Sequence, residues 1–83
     1  VFMGTTCYED RTGFTCGSRE EAILKKTVIE NAVQVIMLMD SFKLGHRNPF
    51  TICSLDDVDI LISDGKLPAD FLEACEKHNV EVL

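Results

Sequence analysis

The residues best suited to bind an anion are Asp40 and Lys43. Asp40 ends the apolar stretch at residues 35–39, and Lys43 follows three residues later. In open parallel α/β sheets, ligands bind in the crevice beyond the carboxyl ends of the strands. If residues 35–39 form a buried strand, the ammonium of Lys43 lies at such an end, where it can bind a phosphate or a carboxylate.

A second apolar stretch, residues 1–3, also runs into groups that can bind an anion. The residues that follow it are small and offer backbone amides and hydroxyls: Gly4, Thr5 and Thr6. Amides in such a loop can bind a phosphate or a hydroxyl group. Lys25 lies next to the apolar stripe of a predicted helix, so we expect it nearer to the crevice than to open solvent.

Each charged residue also has a purely structural interpretation. Most lysines lie on solvated surfaces, and Lys25 and Lys43 could do the same. Asp40 could accept hydrogen bonds from the amides of its own loop in an Asx turn. The residues alone therefore indicate anion binding without deciding between these alternatives.

The first helix is predicted at residues 19–32, after a polar, turn-rich stretch at residues 9–17 that predicts a loop. Ser18 and Glu21 have the spacing of a capping box. In that motif the serine accepts from the amide of Glu21, and the glutamate side chain reaches back to the serine amide. The apolar stripe recurs every four residues and is expected to face a core: Leu24, Val28 and Ala32.

Three further strands are predicted. Residues 35–39 are uniformly apolar and too few for an amphipathic helix, so they predict a central strand covered on both faces. Residues 50–53 follow a loop too short for a crossover helix, which predicts an edge or antiparallel strand. Residues 59–63 predict a strand that runs into Asp64, a second strand end, and residues 80–83 predict the last strand.

A helical turn at residues 54–58 and a second helix complete the order of elements. Pro68 suits the first turn of that helix, Lys77 suits its negative end, and Asn79 is a left-handed cap. Its buried face is predicted to hold three residues: Phe71, Leu72 and Cys75. The alternation of strands and helices predicts an α/β fold, with a mostly parallel sheet and flanking helices.

Composition excludes several classes of function. The net charge is −6 and the eight Lys and Arg residues are scattered, which argues against nucleic-acid binding by this segment. No stretch reaches the about 18 to 20 apolar residues of a membrane span. The four cysteines form no Cys-x-x-Cys pair, so we expect reduced, buried thiols and no metal site. Nucleotide-binding and hydrolase motifs are absent, and no cofactor is expected.

The chain as a whole resembles the C-terminal sensor domain of the DeoR family of bacterial sugar-metabolism repressors. The family's Asp-x-x-Lys-Phe-Gly signature is similar to Asp40-Ser41-Phe42-Lys43-Leu44-Gly45, and its Val-Asp-x-Leu-Ile-x-Asp motif is similar to residues 58–64. Three shorter motifs, Phe-Ile-Gly-Ala-Asp-Gly, Gly-Leu-Thr and Glu-Ala-x-x-Lys, resemble Phe2-Met3-Gly4-Thr5-Thr6-Cys7, Gly13-Phe14-Thr15 and Glu21-Ala22-Ile23-Leu24-Lys25.

This resemblance implies the fold of ribose-5-phosphate isomerase, glucosamine-6-phosphate deaminase and CoA transferases, and a domain that binds phosphorylated sugars. The isomerase shares Asp-x-x-Lys, which Lys43 matches. Its catalytic glutamate falls on Lys25 and its motif aspartate on Thr6, and neither replacement can move protons as a carboxylate does. The resemblance therefore favours an effector sensor without enzymatic activity. The alternative is a sugar-phosphate isomerase or deaminase on the same fold.

The resemblance also implies how the chain fits into a larger protein. Residues 1–83 correspond to the C-terminal part of the sensor domain, so DNA is expected to be bound through an N-terminal helix-turn-helix absent from this chain. Such a regulator is cytoplasmic. Thr6-Cys7 stands where the family has Asp-Gly, so the polar contacts of this loop, and with them the sugar preference, are expected to differ from those of the family. The apolar stretches at residues 1–3 and 80–83 are expected to expose strand edges and to favour a homo-oligomer.

Overall fold

Two β-sheets and two α-helices make up the structure, a computed structural model that describes all of residues 1–83. In chain order the elements are β1 (Phe2–Gly4), β2 (Cys7–Glu9), β3 (Gly13–Cys16), α1 (Arg19–Glu30), β4 (Ile36–Leu38), β5 (Phe50–Cys53), β6 (Ile60–Ile62), α2 (Ala69–Lys77) and β7 (Glu81–Val82). The four-stranded sheet is parallel, with the order β1-β4-β6-β7. The three-stranded sheet is antiparallel, with the order β2-β3-β5. The prediction of an α/β fold with a parallel sheet is confirmed.

The middle of the parallel sheet is formed by β4 and β6, as their apolar sequences predict. Met37 of β4 lies opposite Met3 on one side and Leu61 on the other. Met37 and Leu61 are completely buried, because both side chains lie on the face of the sheet that packs into the core. Leu38, whose side chain lies on the opposite face, is 42% exposed. The prediction of a central strand at residues 35–39 is confirmed as β4, but the prediction that both of its faces are covered is wrong.

The antiparallel sheet corrects one prediction. Residues 9–17 do not form a loop, because β2 and β3 pair as a hairpin across a short turn in which the amide of Thr12 donates to the carbonyl of Glu9 at 3.2 Å. All four residues of β3 are buried, so the strand lacks the alternation of polar and apolar residues that would have revealed it. The antiparallel strand predicted at residues 50–53 is confirmed as β5, which pairs with β3.

Helix α1 begins at Arg19, as the capping motif predicts, and ends at Glu30 rather than at Ala32. Ser18 accepts from the amide of Glu21 at 3.2 Å, which is one half of the predicted capping box. The other half is missing, because the carboxylate of Glu21 is paired with Lys25. The predicted inward stripe is wrong at Leu24, which is 65% exposed. Helix α1 packs on β3 and β5, and its buried residue is Ala22.

Helix α2 begins one residue after Pro68 and buries Phe71 and Cys75. Leu72, predicted on the same face, is instead 41% exposed. Asn79 adopts φ +59°, so the left-handed cap is confirmed. The predicted helical turn at residues 54–58 is a 3-10 turn at Leu55–Asp57. Neither helix is long and apolar enough to cross a membrane.

Candidate functional site

Three parallel strands end side by side and define the region of interest. Gly4 of β1 lies opposite Leu38 of β4, which in turn lies opposite Ile62 of β6. Gly4, Leu38 and Ile62 are the last residues of their strands, and the boundary that they form is here named the carboxyl rim. The loops that follow them contain Asp40 and Asp64, so the two predicted strand ends lie at the same side of the sheet.

Asp40 organises the loop that carries Lys43. Its carboxylate accepts from the amide of Phe42 at 3.0 Å and caps a 3-10 turn at Ser41–Lys43. The structural alternative, an Asx-type turn, is therefore present at Asp40. Asp40 is exposed, so this turn still leaves its carboxylate in contact with solvent.

Asp64 holds the same turn from the neighbouring strand. Its carboxylate accepts from the amide of Ser41 at 3.2 Å, from the hydroxyl of Ser41 at 2.9 Å and from the amide of Lys66 at 3.0 Å. The backbone hydrogen bond from Ser41, followed by that from Lys66, lowers the pKa of Asp64 below its ordinary value. Asp64 was not among the predicted site residues, although its place directly after a predicted strand was the signal that could have included it.

Lys43 is the last residue of the 3-10 turn and is half-buried. Its ammonium forms none of the ion pairs of the chain. The neighbouring Phe42 is 81% exposed. A half-buried cation that no carboxylate neutralises is available to an anion that approaches the carboxyl rim.

Lys25 also reaches the carboxyl rim, but its charge is already engaged. Its ammonium donates to the carbonyl of Gly4 at 2.8 Å and lies 2.7 Å from the carboxylate of Glu21. The expectation that Lys25 lies away from open solvent is confirmed, because its side chain is only 22% exposed. Sequence reasoning missed Glu21 as a site residue, although an acid four positions before a lysine on a helix indicates an ion pair.

The three small residues after β1 play different parts. The hydroxyl of Thr5 is directed at the carbonyls of Cys7 and Thr15, at 3.1 and 3.2 Å, and so ties the end of β1 to the hairpin. Gly4 and Thr6 are exposed. No atom lies within 4 Å of the position that a Cβ would take on Gly4. Of the three, Gly4 and Thr6 are therefore the residues that a ligand can reach.

A cavity of about 280 Å³ lies next to this loop. It is bounded by the residues directly after Lys43, Leu44 and Gly45, and by the beginning of the hairpin and of α2. None of the six residues predicted to bind an effector lines this cavity. Among the predicted residues, the structure brings Lys25 into contact with Gly4, and Asp40 and Lys43 lie in the turn that follows β4.

Residues 1–65 match the family described as DeoR C terminal sensor domain. The chain belongs to this family. The matched residues include all the motifs on which the resemblance in the sequence rests, from β1 to Asp64, whereas α2 and β7 lie beyond the match.

Three regulators are similar to this chain along most of its length. It is 35% identical to the HTH-type transcriptional regulator GlpR of Haloferax volcanii over 83 residues, which is 100% of this chain and 32% of that protein. It is 35% identical to the HTH-type transcriptional regulator YulB of Bacillus subtilis over 82 residues, 99% of this chain and 32% of that protein. The HTH-type transcriptional repressor GlcR of Bacillus subtilis is 32% identical over 71 residues, 86% of this chain and 28% of that protein. The chain thus spans about a third of the length of these relatives.

Proposed function

We propose that this chain is the C-terminal part of the effector-binding domain of a transcriptional regulator of sugar metabolism, and that it binds a phosphorylated sugar at the carboxyl rim. Membership of the sensor-domain family supports the sensing role. The observation that carries the site is Lys43, a half-buried cation outside every ion pair of the chain. A phosphate carries up to two negative charges and accepts several hydrogen bonds, so it suits such a cation.

The proposal assigns different tasks to the other predicted residues. Asp40 shapes the turn that presents Lys43, and the exposed side of its carboxylate can accept from a sugar hydroxyl. Gly4 and Thr6 leave room for a ligand next to β1. Lys25 positions the end of β1 through the carbonyl of Gly4 rather than neutralising the phosphate itself. Thr5 fixes the same loop from the hairpin side.

The larger context is part of the same proposal. The relatives are transcriptional regulators of about three times this length, so we assign DNA binding to an N-terminal helix-turn-helix in the whole protein. Effector binding then shifts an equilibrium between oligomer arrangements that do and do not fit DNA, which couples the two sites. We also propose that this regulator is cytoplasmic and that its sensor domain has the fold of the sugar-phosphate isomerases and CoA transferases, and the parallel sheet supports the second of these proposals.

One observation favours the alternative of an isomerase or deaminase. The carboxylate of Glu21 lies beside Lys25 at the end of β1 and is 41% exposed, so a carboxylate is present near the position where the isomerase has its base. Its ion pair with Lys25 opposes a role as a base, because the carboxylate must leave Lys25 before it can approach a substrate. Aldose–ketose interconversion by the intact protein, lost in Glu21→Gln, would establish the enzyme instead of the sensor.

Removal of the Lys43 ammonium tests the proposed site. We expect Lys43→Ala in the intact regulator to bind its best ligand from a panel of pentose and hexose phosphates about 10- to 100-fold more weakly, because one charge-assisted contact is lost. Isothermal titration calorimetry measures the affinity, and the phosphate-free sugars complete the panel. Lys77→Ala is the matched control, since it removes the same charge from the far end of α2. Equal affinities in the two variants would show that Lys43 is not the phosphate ligand.

A further inference from the structure

The cavity beside the Lys43 loop is a preformed feature of the fold. The amide of Gly45 donates to the carbonyl of Tyr8 at 2.9 Å, which fixes one wall to the first strand of the hairpin. The rings of Tyr8 and of Phe71 from α2 pack edge to face, with centroids 5.1 Å apart and planes at 70°. Three separate segments therefore keep an opening of about 280 Å³ between them.

The charges around this cavity all have the same sign. Its eight lining residues include the acids Glu9, Asp10 and Asp70, and they include no lysine, arginine or histidine. The apolar part of the lining consists of Tyr8, Leu44 and Phe71. A cavity with an apolar floor and three carboxylates attracts a cation that carries an apolar portion.

The hydroxyl of Tyr8 indicates independently that a polar ligand belongs here. Tyr8 is only 5% exposed, and its side chain forms no hydrogen bond within the chain. The only fully enclosed side-chain polar atom without a partner is the hydroxyl of Thr12, so the phenol oxygen is not fully enclosed. Tyr8 itself lines the cavity. Burial, and then the charge of Asp10, raises the pKa of Tyr8 to about 12. The phenol therefore stays neutral and can still accept from an N–H group.

A guanidinium group fits this set of partners better than a metal ion or an ammonium group. No three acidic, histidine or cysteine residues of the chain are placed to share a metal ion. A guanidinium spreads five N–H donors over a planar fork and also stacks on aromatic rings. Such a fork can reach the carboxylates of this cavity and the phenol of Tyr8 at the same time. The methylene groups of the arginine side chain then pack on Leu44.

We propose that this cavity binds the guanidinium group of an arginine side chain that is presented by another polypeptide segment. The segment inserts the arginine between Tyr8 and Phe71, and its charge is neutralised by Glu9, Asp10 and Asp70. The site is distinct from the one around Lys43, so this proposal does not depend on sugar-phosphate binding.

The test compares ligands that differ only in charge. N-acetyl-L-arginine amide represents an arginine within a polypeptide, and N-acetyl-L-citrulline amide has nearly the same shape without the charge. We expect the arginine amide to shift the amide NMR signals of Tyr8 and Gly45 in the intact protein, and the citrulline amide to bind at least about tenfold more weakly. Free L-arginine should also bind more weakly than the amide, because the acidic lining repels its carboxylate. Equal binding of arginine and citrulline amides, tighter binding of free arginine, or no binding at all would overturn the proposal.

Variants locate the binding within the chain. Glu9→Gln and Asp10→Asn should each weaken binding of the arginine amide several-fold, because each removes one carboxylate of the cavity. Glu76→Gln makes the same change of net charge on an exposed part of α2 outside the cavity and should leave the affinity unchanged. Tyr8→Phe removes only the hydroxyl, keeps the ring contacts, and should also weaken binding. A loss of affinity in Glu76→Gln equal to that in Glu9→Gln would show that only the overall charge matters, and would overturn the proposal.

Discussion

Lys25 and Lys43 are of the same type and lie near the same rim, yet their surroundings differ. The ammonium of Lys25 is held by a carbonyl and a carboxylate, whereas that of Lys43 lies outside every ion pair of the chain. A lysine that is already neutralised shapes its loop, and a lysine that is not can bind an anion. This difference, rather than the residue type, is the reason why we propose Lys43 as the phosphate ligand.

Asp64 allows a prediction about acid stability at the level of one residue. Its pKa is lower in the folded chain than its ordinary value, chiefly because of the Ser41 amide. A group with a depressed folded pKa stabilises the fold above its unfolded pKa, about 3.9 for aspartate, and loses that contribution as the pH falls through the folded value. We therefore expect Asp64→Asn to be less stable than wild type at neutral pH and to lose less stability below about pH 4.

The measurement is the midpoint of urea unfolding between neutral pH and the acid range. Glu76→Gln serves as the control, since Glu76 is exposed and takes part in none of the ion pairs of the chain. Parallel pH profiles for wild type and Asp64→Asn would show that the hydrogen bonds at Asp64 do not couple its charge to folding.

At the level of elements, one glycine allows the hairpin to pack closely against β5. Gly13 has φ +76°, and a Cβ on it would lie 2.4 Å from the carbonyl oxygen of Cys53. The left-handed conformation alone costs an L-residue about 1–2 kcal/mol, and displacing a backbone carbonyl of β5 costs more. We expect Gly13→Ala to destabilise the protein by about 2–4 kcal/mol in chemical denaturation.

Two other glycines separate the two causes. Gly45 has φ +80° but open space around it, so Gly45→Ala should cost only the conformational part, about 1 kcal/mol. Gly17 has neither a positive φ nor a neighbour within 4 Å, and Gly17→Ala should be close to neutral. If Gly13→Ala lowered the free energy of unfolding no more than Gly45→Ala does, the carbonyl of Cys53 could move away from the added methyl group at little cost.

The elements that the sequence predicts well are those whose local pattern decides their environment. Strands β4 and β6 are short apolar runs that end at aspartates, and α1 starts at a serine cap. The hairpin was missed because its glycine and aspartate residues predict a turn. In addition, strand β3 is buried at every position, so it shows no pattern of one buried and one exposed face. Leu24 was misplaced because a helix with apolar residues on several sides does not reveal which of them meets the second sheet. Asp64 was missed because its partner Ser41 lies in a different loop. Glu21 was missed although its partner Lys25 lies one turn further along the same helix.

At the level of the whole molecule, β1 has a neighbouring strand on one side only. Its first residue, Phe2, is 67% exposed. A strand with an unpaired side and an exposed apolar residue is a template for pairing with another strand. Homo-oligomers of this chain are therefore proposed to form through the open side of β1.

This arrangement predicts that Phe2→Lys weakens self-association. Burying an exposed phenylalanine contributes about 1.5–3 kcal/mol, so the association constant of the dimer should fall about 10- to 100-fold. Sedimentation velocity over a range of concentrations measures that constant. Phe42→Lys is the matched control, because Phe42 is 81% exposed but follows β4, a strand that is paired on both sides. A wild-type chain that stays monomeric at all concentrations, or an equal loss in both variants, would contradict pairing through β1, because a specific strand interface must distinguish a residue within it from one outside.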